Sequence, residues 1–493
     1  MKLMRKCFSK GVLAMSAVSL AMAIGPVLQA QQQLPQSPAP ANSTSQTSSQ
    51  TTADRLAQLE KEVGQLQSEI ASLKNSEEST PSMRTAAYIE PQQAGAATAP
   101  APAAAPASTP APAPVTFASL LGPTTITGFV DGYYGFNFNQ PTNLGNRIGV
   151  PNGIDGNGLQ FFTNNANQFS LNAAELVVDK APDATAGGTG RAGYHIGIIY
   201  GQAAQVINGT NNSTDASNLA LKEAYVDYIA PIGKGLTFTF GKFVTPAGAE
   251  VIESNANWNY TRSILFYYAI PFFHFGVNAK YTFNPKWSVT GYIVNGWNNS
   301  QEVNTGKTYG VSIAWTPNKY WAVTENYLAG PQGNTFFTGY VGKPNDNWRQ
   351  LEDATIGYTP NAKWAFQING DYGYGDKYGN GVDAAANSPA VDWWGVAPYW
   401  KYTMNDKSNF AMRYEYYSDP QGFTLFGPGN LNGHVQEVTS TYSYNLTSAL
   451  ATRFEFREDW SNRDIFEKGT RFVGSQPTAT IGITYSFSSA NAK

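Results

Sequence analysis

The stretch Tyr281-Thr-Phe-Asn-Pro-Lys-Trp287 occurs again, with small changes, as Trp315-Thr-Pro-Asn-Lys-Tyr-Trp321 and as Tyr358-Thr-Pro-Asn-Ala-Lys-Trp364. Weaker copies begin at Tyr402 and Tyr444. The full copies place the residue types of a tight polar turn between two large aromatic residues. A unit that recurs along a chain indicates a repeated supersecondary structure, and the natural one here is the β-hairpin.

The segments that flank these turns alternate between apolar and polar residues. From 478 to 487 the odd positions carry Ala, Ile, Tyr or Phe, and the even positions carry Thr, Gly or Ser. The same period of two runs through 308–315 and most of 364–374. This period predicts β-strands with two different faces. Alternation alone fits both a soluble sandwich and a barrel.

The aromatic residues favour a membrane barrel. They cluster beside the short turns, where a transmembrane barrel carries its interfacial girdle, and the other connections are long, polar and rich in Gly and Asn. We expect the girdle to contain Tyr281, Trp287, Trp315, Trp321, Tyr358, Trp364, Tyr485 and Phe487.

Sixteen strands can be counted between Thr124 and Phe487, joined by long and short connections in alternation. Both ends of the barrel then fall on the side of the short turns, as in single-chain bacterial barrels. A barrel of this size encloses water. The predicted fold class is all-β, a transmembrane antiparallel β-barrel of about 16 strands. The expected strand centres are Val130, Leu176, Ile198, Val226, Phe238, Val277, Val289, Ile313, Val323, Ile356, Ile368, Val396, Met412, Val438, Phe454 and Ile483.

Residues 1–30 have the features of a secretory signal peptide. An apolar run extends from Gly11 to Leu28, and Ala30 is a suitable cleavage point. Four positively charged side chains precede the run: Lys2, Arg5, Lys6 and Lys10. Their removal takes the formal net charge from -3 to -7, and this mild acidity gives no support for nucleic-acid binding. Cys7 is the only cysteine and precedes the apolar run, so we expect no lipid anchor, disulfide or metal-thiolate site.

The composition agrees with an outer-membrane location. After the signal there is no apolar run of about 18 residues, which a membrane helix would need. Aromatic residues make up 13% of the chain and charged residues only 14%, against about 25% charged in ordinary soluble domains. A barrel in the outer membrane of a diderm bacterium, with the N-terminal segment in the periplasm, reconciles these observations.

Three further segments lie between the signal and the barrel: a polar linker at 31–53, a heptad segment at 54–74 and an Ala/Pro-rich linker at 75–123. The last is expected to be disordered and extended. Leu56, Leu59, Val63, Leu66, Ile70 and Leu73 have the spacing of a short coiled coil. The alternative is one amphipathic helix resting on the barrel mouth. Beta-branched residues at two of the a positions favour a dimer, whereas porin barrels commonly form trimers.

The barrel segment resembles the OmpL-like β-barrel porins. The resemblance rests on the strand segments Gly128–Asn137, Glu223–Pro231 and Gly241–Pro246 and on the repeated Thr-Pro-Asn turns. It covers 124–487, after which 488–493 form a polar tail. It implies an outer-membrane diffusion channel. Strand and turn patterns do not identify the solute.

Alternate residues of a strand face opposite sides of the barrel wall, and this strand parity predicts which charged residues face the lumen. If these residues faced outward, their charges would lie in lipid. They are Glu223, Asp227, His274, Lys280, Arg413, Glu415, Arg453, Glu455, Arg457 and Asp459. Their signs are mixed, so we expect no strong ion preference. Alternatively, they pair with one another across strands and have no effect on ion selectivity. Glu325 shares parity with Trp321 and Val323, which requires a bulge or a position above the membrane.

The third long connection, Thr245 to Pro271, is the candidate pore constriction. It carries Glu250, Glu253, Trp258, Tyr260 and Arg262 and occupies the position of the inward-folded loop of general porins. The alternative is an ordinary extracellular loop.

No catalytic motif is evident: the chain has no His-Glu-x-x-His, Gly-x-Ser-x-Gly or phosphate-binding loop. The three histidines are isolated, and we expect no cofactor and no metal. The sequence therefore predicts a non-enzymatic porin that passes small hydrophilic solutes and ions. Its expected partners are outer-membrane lipid and further copies of the chain. The alternatives are a barrel that anchors a periplasmic coiled-coil stalk, with the cell wall as a partner of the stalk, and a lumen hydrolase.

Overall fold

The computed structural model describes residues 123–142, 156–185, 188–210, 217–302, 304–332, 345, 347–375, 390–425 and 432–491. The predicted signal peptide, the polar linker, the heptad segment and nearly all of the Ala/Pro-rich linker lie outside these residues.

The described residues form a closed antiparallel barrel of sixteen strands. Each strand pairs with its neighbour along the chain, and the first pairs with the last. The barrel strands are β1 (Thr125–Asn137), β2 (Gln168–Lys180), β3 (Ala192–Tyr200), β4 (Leu219–Ala230), β5 (Leu236–Val244), β6 (Phe273–Asn284), β7 (Trp287–Val294), β8 (Thr308–Asn318), β9 (Trp321–Pro331), β10 (Trp348–Tyr358), β11 (Trp364–Gly375), β12 (Val391–Asn405), β13 (Ser408–Asp419), β14 (Gly433–Asn445), β15 (Leu450–Ser461) and β18 (Ser475–Ser488). A separate two-stranded ribbon pairs β16 (Phe466–Lys468) with β17 (Arg471–Val473).

The predicted fold class is confirmed, and each of the sixteen predicted centres lies within a strand. Thr127 of β1 pairs with Ser488 of β18. Both ends of the barrel sheet therefore lie at the end that carries the short turns 285–286, 319–320, 359–363 and 406–407, hereafter the short-turn end.

The two faces of the barrel differ in polarity as the alternation requires. On β18, Ile481, Ile483 and Tyr485 are 47 to 52% exposed, whereas Thr480 and Thr484 are at most 5% exposed. Apolar side chains point away from the barrel and polar ones point into it. This is the reverse of a soluble protein and suits a wall that contacts lipid.

The repeated turns share one hydrogen-bond pattern. The side-chain oxygens of Asn284, Asn318, Asn361 and Asn405 each accept the backbone N–H two residues later, at 2.8 to 2.9 Å. This is the Asx turn that the Asn in each copy encodes.

Beside these turns, the aromatic rings of neighbouring copies come into contact. Trp287 lies 5.3 Å from Trp315, Trp321 lies 4.4 Å from Tyr358, and Trp364 lies 4.6 Å from Tyr402, measured between ring centroids. The repeat thus produces a band of rings at the short-turn end. Contact of this band with the membrane interface stays a prediction.

The connections at the other end contain the helices Gln202–Thr210 and Ile264–Tyr268 and the 3-10 turns Phe161–Thr163 and Ser254–Ala256. Two more 3-10 turns, Gly188–Arg191 and Ser489–Asn491, lie at the short-turn end. Among the described residues, no helix has the length and hydropathy to span a bilayer.

Of the two expectations for Glu325, the bulge is wrong and the position above the membrane stays a prediction. Glu325 pairs in unbroken register with Ile313 on one side and Ala354 on the other. Its side chain therefore shares the outward face with Val323 and Tyr327. The pairing is regular because β8, β9 and β10 have no extra residue beside Glu325.

Candidate functional site

The connection between β5 and β6, residues 245–272 (hereafter the third loop), lies against the inner face of the barrel. Its polar atoms contact at least eight strands besides β5 and β6. The contacts are Ser254 with Asp131 of β1, Glu253 with Lys222 of β4, Pro246 with Asn326 of β9, Ala249 with Asn369 of β11, Glu250 with Arg413 of β13, Asn259 with Thr441 of β14, Tyr260 with Glu455 of β15 and Asn255 with Ser486 of β18. A loop that reaches inward-facing residues of strands so far apart in the barrel order crosses the lumen.

Two buried glutamates of the wall hold the loop by its backbone. Glu455 accepts the N–H of Tyr260 at 2.6 Å and that of Thr261 at 2.9 Å. Glu415 accepts the N–H of Ile264 at 2.7 Å and also that of Leu265. Hydrogen bonds to a carboxylate are among the stronger ones, so each glutamate is an effective two-point anchor.

Two buried arginines of the wall bind the loop as well. The Nη1 atom of Arg413 lies 2.6 Å from a carboxylate oxygen of Glu250 and 2.8 Å from the carbonyl oxygen of Thr261. The Nη1 atom of Arg457 donates to the carbonyl oxygen of Arg262 at 2.7 Å, and its Nη2 atom pairs with Asp459 at 2.7 Å. Glu437 pairs with both arginines and so connects them.

Arg453 and Arg262 bind main-chain carbonyl groups of the loop. Arg453 Nη1 donates to Ser254 O at 2.5 Å, and its Nη2 donates to Asn255 O at 3.3 Å. Arg262 donates to the carbonyl oxygens of Tyr260 and Ile252. It is only 3% exposed, so its guanidinium fixes the loop's own shape. Burial also lowers the pKa of this group.

Tyr260 joins the loop to β1. Its hydroxyl donates to Asp131 at 2.9 Å, and Asp131 also accepts the hydroxyl of Ser254 at 2.6 Å. Burial raises the pKa of Tyr260 well above its usual range, and the charge of Asp131 raises it further. The phenol therefore stays protonated and keeps its role as donor.

The short helix Ile264–Tyr268 closes this assembly with aromatic packing. The Ser263 hydroxyl caps the helix by accepting the N–H of Phe266 at 3.0 Å. The ring of Tyr267 stacks on Phe161, with centroids 3.2 Å apart. All five helical residues are buried. The third loop is thus held by ion pairs and hydrogen bonds before and at the start of the helix and by aromatic packing at the helix itself.

A second charged cluster contains Glu223 and Glu253, which were predicted, and Lys222 and Glu175, which strand parity missed. Gly197 pairs with Glu223 and Ile198 pairs with Leu221, so Lys222 is the extra residue of a β-bulge in β4. Its ammonium group lies 2.6 Å from Glu175 and 3.3 Å from Glu223, and it also contacts Glu253 of the third loop. Adjacent charges in an apolar strand, Lys222 and Glu223, were the only signal in the sequence.

The other predicted site residues form no ion pair with the third loop among the described residues, although His274 Nε2 lies 3.3 Å from the hydroxyl of Thr245. His274 is fully buried, with Nδ1 2.9 Å from the carbonyl oxygen of Gly296. Lys280 is exposed on the inner face of β6. Asp227 accepts the hydroxyl of Thr239 at 2.6 Å. Within the described part of the chain, no group of three or more His, Cys, Asp or Glu side chains is arranged to hold a metal ion.

A closed sixteen-strand barrel with an apolar outside, a polar inside and a loop across the lumen defines an outer-membrane porin channel. The chain belongs to the OmpL-like porin family: residues 123–487 match the family described as "Putative beta-barrel porin-2, OmpL-like". The resemblance seen in the sequence is therefore confirmed.

Solved structures with a similar fold include three outer-membrane proteins. The channel DcaP of Acinetobacter baumannii is 12% identical, with 74% of this chain and 97% of that one covered and a TM-score of 0.47. OmpT of Vibrio cholerae is 11% identical with the same coverages and a TM-score of 0.44. OmpF of Salmonella typhi is 11% identical, again with 74% and 97% covered, and its TM-score is 0.45. No curated protein matches the sequence.

Proposed function

We propose that the third loop is the constriction of this porin and sets the size of the solutes that diffuse through it. The observation that supports this is the double anchoring of the loop backbone by Glu415 and Glu455. Four backbone N–H groups held by two carboxylates keep the segment in the lumen without any contribution from a ligand. Solutes then pass through the space between the loop and the remaining inner wall.

The charges at this place serve mainly to hold the loop. Glu250, Arg262, Arg413 and Arg457 are at most 6% exposed and are bonded to one another or to loop backbone atoms. A permeating ion therefore meets these groups as a nearly neutral network. We propose passive diffusion of small hydrophilic solutes, without an enzymatic step.

The barrel sits in the outer membrane, and we propose that the segment before β1 is periplasmic. The support is that β1 begins and β18 ends at the short-turn end, which faces the periplasm in single-chain barrels. We further propose that the protein forms a homo-oligomer and that residues 54–74 contribute to it through their heptads.

The test of the constriction is a variant in which 247–270 is replaced by a short Gly/Ser linker. Single-channel conductance in planar bilayers should rise, and large neutral polyethylene glycols should enter a pore that excluded them before. A matched control shortens the connection between β9 and β10 within 333–344. If the third-loop variant conducts like the intact protein while its barrel is folded, the loop does not constrict the pore.

A further inference from the structure

Two cations of the inner wall do not take part in the ion-pair network that binds the third loop. Lys401 of β12 and Arg453 of β15 are half-buried and point into the barrel. Among the described residues, neither has a carboxylate within 4.0 Å, in contrast to Lys222, Arg413 and Arg457. Neither cation is therefore paired directly with a carboxylate, although Arg453 donates to the carbonyl oxygens of Ser254 and Asn255 and is attracted at longer range by Asp131 and Glu455.

An aromatic ring of the third loop lies beside the first of these cations. The ammonium nitrogen of Lys401 is 4.8 Å from the ring centroid of Trp258. Trp258 in turn packs edge-on against Tyr399, with centroids 6.4 Å apart. A cation–π contact orients an ammonium group but leaves its hydrogen-bond donors available.

On the short-turn side of Lys401, the wall between β12 and Arg453 is made of small polar side chains. In register across the strands, Thr403 pairs with Asn409, Asn409 with Ser443 and Ser443 with Arg453. Hydroxyl and amide groups can donate hydrogen bonds to an anion. They also leave room that long side chains would fill.

The carboxylates of this wall are already engaged. Glu415 and Glu455 accept backbone N–H groups, and Glu437 and Asp459 pair with arginines. Of the lumen acids in the described residues that lie outside this network, Asp227 is on β4, eight strands away from β12 in the order of the sixteen, and Asp179 is on β2, six strands away. Charges further apart than about 8 Å are largely screened at physiological salt, so the local cations dominate here.

The position along the pore also matters. Arg453 lies two residues nearer the short-turn end than Glu455, which binds the loop backbone. Lys401 lies near the short turn 406–407 and in line across the strands with Glu455, and Arg453 lies on the short-turn side of that glutamate. Low-dielectric walls raise the effect of a fixed charge at such a place.

We propose that Lys401, Arg453 and Trp258 form an anion subsite on the short-turn side of the third loop. Its ligands are small oxyanions in transit, carboxylates or phosphates, held by the ammonium and guanidinium groups. The proposal rests on the proposed function of the third loop as a constriction and names the class of solute that this part of the pore favours.

The test uses Lys401→Gln, because this side chain makes no ion pair in the described structure and its loss leaves the loop anchors in place. Chloride current is recorded in planar bilayers while inorganic phosphate or acetate is added. Both anions should reduce the current of the intact protein. In the variant, the concentration for half-reduction should rise about tenfold, the effect of losing one charge-assisted hydrogen bond.

Two matched controls separate a subsite from a general charge effect. Lys407→Gln removes the same charge from the exposed turn after β12, and Lys280→Gln removes it from the far inner wall. Neither should alter the block by more than twofold. Equal effects of Lys401→Gln and Lys280→Gln, or none from either, would overturn the subsite.

Calorimetric titration of the folded barrel in detergent with phosphate tests the same site without any current. Binding should be detectable in the intact protein and weakened about tenfold in Lys401→Gln. An equal affinity in both would also overturn the proposal. A barrel that binds phosphate but does not conduct would instead refute the proposed channel function and leave the subsite standing.

Discussion

Glu415 and Glu455 are inner-wall residues whose role is to hold backbone N–H groups of the third loop. A carboxylate suits this position because both of its oxygens accept, so two successive N–H groups are satisfied by one side chain. Both glutamates are 5% exposed or less, and an unpartnered carboxylate there would be costly. Strand parity predicted that these side chains point inward. It could not predict that their partner is a loop backbone, because the loop's path depends on contacts far apart in the sequence.

Replacing Glu455 by Gln should loosen the third loop. The amide has one accepting oxygen, so the N–H of Tyr260 or of Thr261 loses its acceptor, at a cost of about 1.5–3 kcal/mol. Single-channel recordings should show a higher mean conductance and more current noise than in the intact protein. Glu458→Gln, outward on the same strand, is the matched control and should leave the recordings unchanged. Indistinguishable traces for both variants would show that this carboxylate does not hold the loop.

At the scale of elements, the strands and short turns were readable from sequence because local rules determine them. Period-two alternation locates strands, and the Asn of each repeat encodes an Asx turn between aromatic rings. The bulge in β4 was not readable, since one extra residue shifts parity and turns Lys222 inward beside Glu223. At Glu325, where a bulge or a position above the membrane was expected, the pairing is regular, so the bulge is wrong.

Asn361 provides a test of the repeated turn. Its side-chain oxygen accepts the N–H of Lys363 at 2.9 Å and that of Trp364 at 3.0 Å. Asn361→Ala should lower the free energy of unfolding by about 1 kcal/mol, whereas Asn361→Asp keeps an acceptor and should cost less. Urea-induced unfolding in lipid vesicles, followed by tryptophan fluorescence, measures the difference. Equal losses in the two variants would mean that the side-chain hydrogen bonds do not stabilise the turn.

On the scale of the whole molecule, the barrel and the N-terminal heptads are separate predictions. The barrel follows from strand pairing among the described residues, whereas the heptad spacing predicts a helix. Deleting 51–75 should therefore leave a folded barrel of unchanged conductance but weaken self-association by roughly tenfold or more, because the a and d residues of a coiled coil bury apolar surface between chains. Deleting an equal length of the Ala/Pro-rich linker, 76–100, is the control. Analytical ultracentrifugation in detergent checks this. If both deletions leave the oligomer intact, the heptads do not join the chains.

The central claim is that this chain encloses a water-filled pore, since a sixteen-strand barrel is too wide for its side chains to fill. The most direct measurement is single-channel recording of the purified, refolded protein in planar bilayers, with folding checked by heat-modifiable electrophoretic migration. The account predicts discrete, long-lived conductance steps that increase in proportion to salt concentration. Protein that is folded by this criterion, inserts into the bilayer and passes no current would contradict it.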